Sequence, residues 1–365
     1  MIYSKTQKIH HFIYFYIMIQ TIMEKHLERF HLINNTLVKH GYEYERALDN
    51  GGFSTCHLVY SEQYQMTFVC KIIKNDKTID NIPEIDIVSS LNHPNIIRIY
   101  HYFKDDEFIY IIMEYCSGGT LQSYVKKNGR LHGDLLLVTC KQILEAVKFC
   151  HDMHIAHRDI KPSNILIDNY GRPKLADFGL SSIINENATK CDQIGSLIFL
   201  APEIVKKENY DPYRTDIWAL GITFYFLVNG TYPWSSIIKK DIAMEIKICT
   251  IDFAQCKTTP EFRLLLKKML AYQPLKRPTI EVILKCDLFT QSDIKLGSIS
   301  KASSFCSEKG FSSTYDDNDM EHIITRRRRR HISTKRHSYN IPLCTSSPIS
   351  VLKTYKQTLQ PTFVI

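Results

Sequence analysis

The sequence predicts an α+β protein, and three observations carry that expectation. Apolar and polar residues alternate around Cys56 to Tyr60 and again over Thr67 to Lys71, the period-two pattern of antiparallel strands. Leu135 to Met153 carries apolar residues at helical spacing, with Leu136, Ile143, Val147 and Cys150 on the inward side. The 365 residues are 44% hydrophobic, enough for a substantial core in one large or two ordinary domains.

Taken in order, residues 1–40 form an N-terminal extension. Its apolar, aromatic run from Ile9 to Met23 is interrupted by His10, His11, Gln20 and Thr21. It falls short of the ~20 residues of a membrane span and lacks a small-residue cleavage site. A weak membrane anchor, a helix packed on the strands that follow, and an over-extended start with Met23 as initiator all fit it. Gly51 and Gly52 fall in a turn between strands, where missing side chains let backbone N–H groups approach a phosphate. An ordinary hairpin would look the same, and it is Lys71, 19 residues on, that raises the phosphate reading. Asp80 to Leu91 reads as a short helix, with Asp80 or Asn81 as N-cap and Pro83 in its first turn. Ile109 to Met113 is an apolar run of the kind that forms a buried strand, ended by Glu114 to Gly119. Ile165 to Asp168 and Pro173 to Ala176 read as a small hairpin that delivers Asp177 opposite Asn164.

Between helix and hairpin stands His157-Arg158-Asp159-Ile160-Lys161-Pro162-Ser163-Asn164, which places a base, a point charge and a metal ligand in one loop. Phosphoryl transfer needs that combination, because it asks the protein to orient a hydroxyl and to neutralise charge on phosphate oxygens. Further motifs follow the same order. Leu48 to Cys56 resembles a glycine-rich phosphate loop, and Phe68-Val69-Cys70-Lys71-Ile72-Ile73 a strand carrying an ATP lysine. Asp177-Phe178-Gly179, Ala201-Pro202-Glu203, Asp216 to Gly221 and Arg277 come after. With these the chain resembles the eukaryotic protein kinase family from about Tyr42 to Phe289. The Gly-Ser-x-x-x-Leu-Ala-Pro-Glu stretch from Gly195, with Ala176, is most similar to the calmodulin-dependent and AMP-activated kinase group.

The resemblance implies a bilobal fold over residues 41–289, a small β-rich lobe with one helix and a large, mainly helical lobe. It implies ATP and Mg²⁺, and Ser/Thr hydroxyls of protein substrates as acceptors, since Lys161 two residues after Asp159 separates such kinases from tyrosine kinases. Asp159 and Lys161 would be catalytic, and Asn164 and Asp177 would hold the metal. Leu48, Gly51, Gly52, Ser54, Cys56, Cys70, Lys71, Glu84, Glu114, Cys116 and Leu166 would bind the nucleotide. Lys71 would reach the phosphates, Glu84 would pair with Lys71, and the Glu114 carbonyl and Cys116 N–H would hold adenine. Met113 would be the gatekeeper and Ala176 part of the slot. Cys56, Cys70 and Cys116 would then be protected from alkylation by ATP. His157, Phe178, Val88 and Ile99 fall at spine positions, where they pack. Asp216 would anchor the loop's backbone, and Glu203 would pair with Arg277. In the activation segment, Asp192 stands where many such kinases carry a phosphorylated threonine, so that it, or Thr189 once phosphorylated, would pair with Arg158. Positions that are carboxylates in Arg-selecting kinases are Thr120, Ser163 and Phe226 here, which implies weak selection for basic substrates.

Where the family has its first and third loop glycines, this chain has Asp49 and Ser54, and Asp49 sets a carboxylate near the phosphate. With Pro83, these departures favour a rival from another class, a pseudokinase that binds without transferring. Lys71, Asp159, Asn164 and Asp177 speak against it. Residues 290–365 shift to Ser, Thr and charge, the composition of a disordered tail. They hold 12 Lys/Arg against 6 Asp/Glu, most of the chain's net charge of +8. Arg326 to His331 and Lys335 to His337 fit a solvated basic run, an import receptor or another acidic partner. Asp316 to Asp319 is no calcium loop, because no glycine follows at the sixth position. No nucleic acid is expected for the catalytic domain, and no membrane. Eleven cysteines without paired spacing indicate reduced thiols, hence the cytoplasm or nucleus.

Overall fold

The computed structural model describes residues 2–50, 54–75, 82–178, 182–183, 197–236, 238–249 and 251–290. The chain divides into two units, residues 1–308 and 309–365, and every described residue belongs to the first. Five antiparallel strands open the fold: β1 (Glu43–Asn50), β2 (Ser54–Ser61), β3 (Met66–Lys74), β4 (Ile99–Lys104) and β5 (Phe108–Met113), in the order β1-β2-β3-β5-β4. The alternating stretches at 56–60 and 67–71 lie inside β2 and β3, which pair without a break from Ser54 opposite Ile73 to Ser61 opposite Met66.

Period two gives this sheet two different faces. Val69, Lys71 and Ile73 share one face with Met113, Ile111 and Ile109, their partners on β5. A short helix, α2 (Ile82–Ser90), covers that face through Ile85, packed with Ile109 and Ile111. Phe68, Cys70 and Ile72 lie on the other face, all buried, with Ile112 and Tyr110 across the ladder. There α1 (Ile2–Lys39) docks: Ile33 and Leu37 are buried, and Phe30 sits edge-on to Tyr44 at 5.1 Å. His40, just after the helix, stacks on Phe103 at 3.8 Å, and the Thr36 hydroxyl donates to Asp105 at 3.2 Å. Asp105 also closes the β4–β5 turn by accepting the N–H of Glu107 at 2.9 Å and of Phe108 at 2.7 Å. Of the three readings of the extension, a helix packed on the small lobe holds for its last turns. No described helix is long and apolar enough to cross a membrane.

The large lobe contains α3 (Leu121–Asn128), α4 (Gly133–Asp152), α5 (Pro202–Val205), α6 (Pro212–Asn229), α7 (Lys239–Ile248), α8 (Pro260–Met269), α9 (Ile280–Leu284) and α10 (Asp287–Thr290). Two small antiparallel pairs join them: β6 (Ile155–Ala156) with β9 (Ser182–Ile183), and β7 (Ile165–Ile167) with β8 (Pro173–Leu175). The helix expected over 135–153 is α4, and Leu136, Ile143, Val147 and Cys150 are buried as its spacing requires. α6 is apolar on all sides, and residues 215–228 are all buried, so it is the axis of the lobe rather than a surface helix. Asp211 caps its start by accepting the Tyr213 N–H at 2.9 Å, and Gly230, at φ 78°, ends it in the left-handed conformation. The helix expected over 80–91 is seen as α2, and its N-cap candidates Asp80 and Asn81 lie outside the described residues.

One glycine brings the lobes' connection against the catalytic hairpin. A Cβ on Gly118 would stand 2.8 Å from the Ile167 carbonyl oxygen, to which the Gly118 N–H donates at 3.0 Å. α3 begins immediately afterwards, with Thr120 as N-cap: its hydroxyl accepts the Ser123 N–H at 3.0 Å while Ser123 Oγ accepts the Thr120 N–H at 3.2 Å.

Candidate active site

α4 delivers the chain through β6 to the 157–164 loop, and one buried carboxylate fixes that loop's backbone. Asp216 on α6 accepts the N–H of His157 and of Arg158, each at 2.8 Å, and lies 2.9 Å from His151 Nε2 on α4. Arg158 has φ 65°, a conformation that costs a non-glycine residue on the order of 1 kcal/mol, and the Asp216 contacts offset it. His157 is fully buried, with Nε2 3.1 Å from the Ala176 carbonyl and Nδ1 3.3 Å from the Asp159 N–H. Those partners assign its proton to Nε2. Burial lowers its pKa and outweighs the opposing pull of Asp216, so the ring is neutral and its role is packing: Phe178 lies 4.7 Å away. Val88 belongs to the same core, with Ile99 and Phe178 packed against it.

Asp159 is buried, and its two carboxylate oxygens differ. Oδ2 accepts from Lys161 Nζ at 2.7 Å and from Asn164 Nδ2 at 2.8 Å. Oδ1 is buried and has no hydrogen-bond partner among the described residues. Asn164 also donates Nδ2 to the Asp159 carbonyl at 2.9 Å, which orients the amide and leaves its Oδ1 as an acceptor. The Ala176 N–H donates to the Asn164 carbonyl at 2.8 Å, so the β7–β8 hairpin carries Asp177 to Asn164's side. Asp177 has φ 66° and forms an ion pair with Lys71 from β3. Burial raises the Asp177 carboxyl, but the Lys71 charge and hydrogen bond, helped by Lys161, together hold it below its ordinary value.

Around the expected nucleotide slot the structure gathers Cys116, Leu166 and Ala176, sets Cys56 beside Lys71, and turns one predicted residue away. Cys56 is directly opposite Lys71 in the β2–β3 ladder and shares its face. Leu48 lies where the β1–β2 register shifts and is partly exposed, and Ser54 begins β2 opposite Ile73. Cys116 and Ala176 are buried with Ile97, and Met113, Leu166 and Phe178 pack against them as one apolar floor. Glu114 is held at the hinge by Lys174 Nζ at 2.8 Å, and its Oε2 accepts the Arg98 N–H at 3.2 Å. Cys70 is corrected: next to Lys71 on a strand, it points to the opposite face, fully buried beneath α1, and Val69 takes the slot-facing position. Burial also pushes the Cys70 and Cys116 thiols far up, so neither is a reactive thiolate.

Gly51, Gly52, Thr189, Asp192, Gly195 and Ser196 lie outside the described residues, as do the side chains of Asp49 and Glu84; Glu84's backbone stands in the first turn of α2. The sequence reading missed Val69, which the alternation with Lys71 could have supplied. It also missed His151 and Lys174, whose partners are 65 and 60 residues away and leave no local signal. Glu203 and Arg277 meet as expected, with Nη1 to Oε1 at 2.6 Å and Nη2 to Oε2 at 2.8 Å, both buried. A cavity of about 1140 Å³ at the base of the large lobe, lined by Leu136, Phe262, Leu265 and Ile283, contains none of these groups.

A small antiparallel lobe joined by a hinge to a helical lobe, with a Lys–Asp pair facing an Asp–Lys–Asn loop, is the arrangement of a phosphotransferase. Residues 42–289 match the family described as Protein kinase domain, and the chain belongs to that family. It is 34% identical over 252 residues to NUAK family SNF1-like kinase 1 of Mus musculus, covering 67% of this chain and 38% of that protein. CBL-interacting serine/threonine-protein kinase 7 of Arabidopsis thaliana is 33% identical, covering 69% of this chain and 60% of that protein. Aurora kinase of Dictyostelium discoideum is 32% identical, covering 67% and 64%. The first two agree with the group resemblance of the sequence. The chain thus spans less than two thirds of these relatives' lengths.

Proposed function

We propose that this chain transfers the γ-phosphate of ATP to Ser or Thr hydroxyls of protein substrates. The observation that carries the reading is Asp159 Oδ1, a buried carboxylate oxygen without a hydrogen-bond partner among the described residues, while Lys161 and Asn164 hold its twin. A carboxylate oxygen that no side chain occupies, on a carboxylate whose other oxygen is fixed, is placed to accept a proton from a hydroxyl. The substrate hydroxyl gives its proton to Oδ1 as its oxygen bonds to the γ-phosphorus and the bond to the β-phosphate oxygen breaks, releasing ADP. Lys161 steadies the transferring phosphate, and Lys71 the phosphates above it.

Family membership implies ATP as donor, and the donor set fits a hard divalent cation. Among the described residues no cluster of three His, Cys, Asp or Glu exists, so a metal here would share its shell with phosphate and water, as Mg²⁺ does. Asn164 Oδ1 and the Asp177 carboxylate would hold it, and when bound it would neutralise charge on the phosphate oxygens.

The test is transfer of labelled phosphate from ATP to a protein mixture by purified enzyme, with Asp159→Asn beside it. Incorporation at Ser and Thr that the variant loses supports the reading; equal incorporation by both proteins would sink it, and none by either would favour the pseudokinase.

A further inference from the structure

A seven-residue repeat runs the length of α1. Ile2, Ile9, Tyr16, Met23, Phe30 and Leu37 stand at every seventh position, and Phe12, Ile19 and Ile33 each fall three residues after one of them. On a helix these positions form one stripe. Its last part is covered by the protein's own small lobe, where Ile33 and Leu37 are buried and Phe30 meets Tyr44. Nearer the start the same stripe runs off the sheet. There Ile19 is 39% exposed and Met23 50%, and Leu27, at the edge of the stripe, is 41% exposed.

The period of the repeat says what covers the open part. A bilayer accepts any broad apolar face, whereas a spacing of about 3.5 residues keeps a stripe turned toward a second helix that winds about the first. Residues 2–27 hold nearly four repeats, and about three to four are what a stable pair of helices needs. The two polar residues in the stripe, Lys5 and His26, stand at its ends, so the seam from Ile9 to Met23 is apolar at every position. A membrane fits less well, since His10, His11, Gln20 and Thr21 interrupt the run and no described helix is long and apolar enough to cross one. The positions beside the seam, Ile13, Phe15, Gln20 and Ile22, carry no charge that would repel an identical helix or select a different one. A stripe of this kind is complementary to itself, and two copies related by a twofold axis present the same row to each other.

We propose that α1 pairs with the same helix of a second copy of this chain, through the seam of Ile9, Phe12, Tyr16, Ile19 and Met23. The last turns of each α1 stay seated on their own small lobe, so the pair holds two catalytic domains in one particle. Each domain then meets the other at an effective concentration set by the helix rather than by dilution. The pairing does not depend on the kinase reading.

Sedimentation equilibrium of the full chain tests this, with Ile19→Glu and Met23→Glu in the seam and Met18→Glu outside it, roughly 130° round the helix. All three sites are exposed, and a melting curve confirms that the catalytic domain is folded. Wild type is expected at twice the mass of one chain. Each seam change should raise the dissociation constant about a hundredfold, because it sets an unpaired charge in the contact on both helices, and Met18→Glu should move it by less than about threefold. Wild type at the mass of one chain, or at more than two, would overturn the pairing. So would a pair that either seam variant keeps, or equal losses in all three variants, the mark of unspecific apolar association. Flotation with phosphatidylcholine–phosphatidylserine vesicles is the last arm: wild type that binds them and sediments as one chain without them makes the stripe a lipid contact and sinks the pair.

Discussion

Replacing Glu203 with Ala should unfold the large lobe well before it affects chemistry. Arg277 is 1% exposed, and losing Glu203 strips it of both carboxylate bonds. The guanidinium keeps three carbonyl acceptors, Ala271 at 2.9 Å, Arg214 at 3.1 Å and Tyr272 at 3.3 Å, and it lies 4.9 Å over the Trp218 ring. Breaking a buried pair from one side costs about 3–5 kcal/mol, and these remaining contacts place the loss at the lower end, ~3 kcal/mol. In a domain of this size each kcal/mol moves the melting temperature by ~2–4 °C, so a fall of ~6–12 °C is expected. Arg277→Ala should cost more, because the Glu203 carboxylate then loses both of its charged donors. Joint replacement by Glu203→Leu and Arg277→Met should recover part of the loss, since the buried charge goes with its partner. Circular dichroism melts measure the shift, and kcat per folded molecule well below the transition should stay within about twofold of wild type. A melting temperature within about 2 °C of wild type, or a large kcat loss without a thermal shift, would refute the structural assignment.

Ala at Asp159, Lys71 or Asp177 should lower kcat by ~10³ or more with little change in melting temperature, because these side chains act as positioned charge; radiometric transfer and thermal melts together check it. Iodoacetamide at neutral pH should leave Cys70 and Cys116 unmodified and reach Cys56 at most, read by peptide mass spectrometry with and without ATP. His157, His57, His93 and His40 all have pKa values lowered chiefly by burial, so the folded state binds fewer protons than the unfolded one. Their stabilisation is present above the unfolded value of about 6.5 and is lost as pH falls below it, so the melting temperature should drop from pH 7 to 5 and His157→Phe should flatten that slope. Leu37→Ala, at a fully buried site of α1, should cost ~2–5 kcal/mol, whereas exposed Val38→Ala should be nearly neutral in denaturant titrations.

The strands β2, β3 and β5, helix α4 and the catalytic loop were legible because each is written in local periodicity or a contiguous motif. Lys71, Asp159, Lys161, Asn164 and Asp177 are few, chemically distinctive and in fixed order, so the family and the chemistry could be read before any fold was known. Which side of a strand a residue faces is also in the sequence, yet Cys70 was misplaced because a motif was followed where the two-residue period should have decided. The tertiary structure alone settled where the last turns of α1 lie, since apolar residues such as Ile33 and Leu37 suit a membrane, a partner or the protein's own sheet equally well. It alone showed that Lys161 and Asn164 hold one carboxylate oxygen of Asp159 and, among the described residues, nothing holds the other, that His151 joins the Asp216 anchor and that Ile19 and Met23 face outward. Those facts depend on contacts between residues far apart in the chain, and a hydrogen bond or a buried face leaves no mark on the local sequence until the chain has closed upon itself.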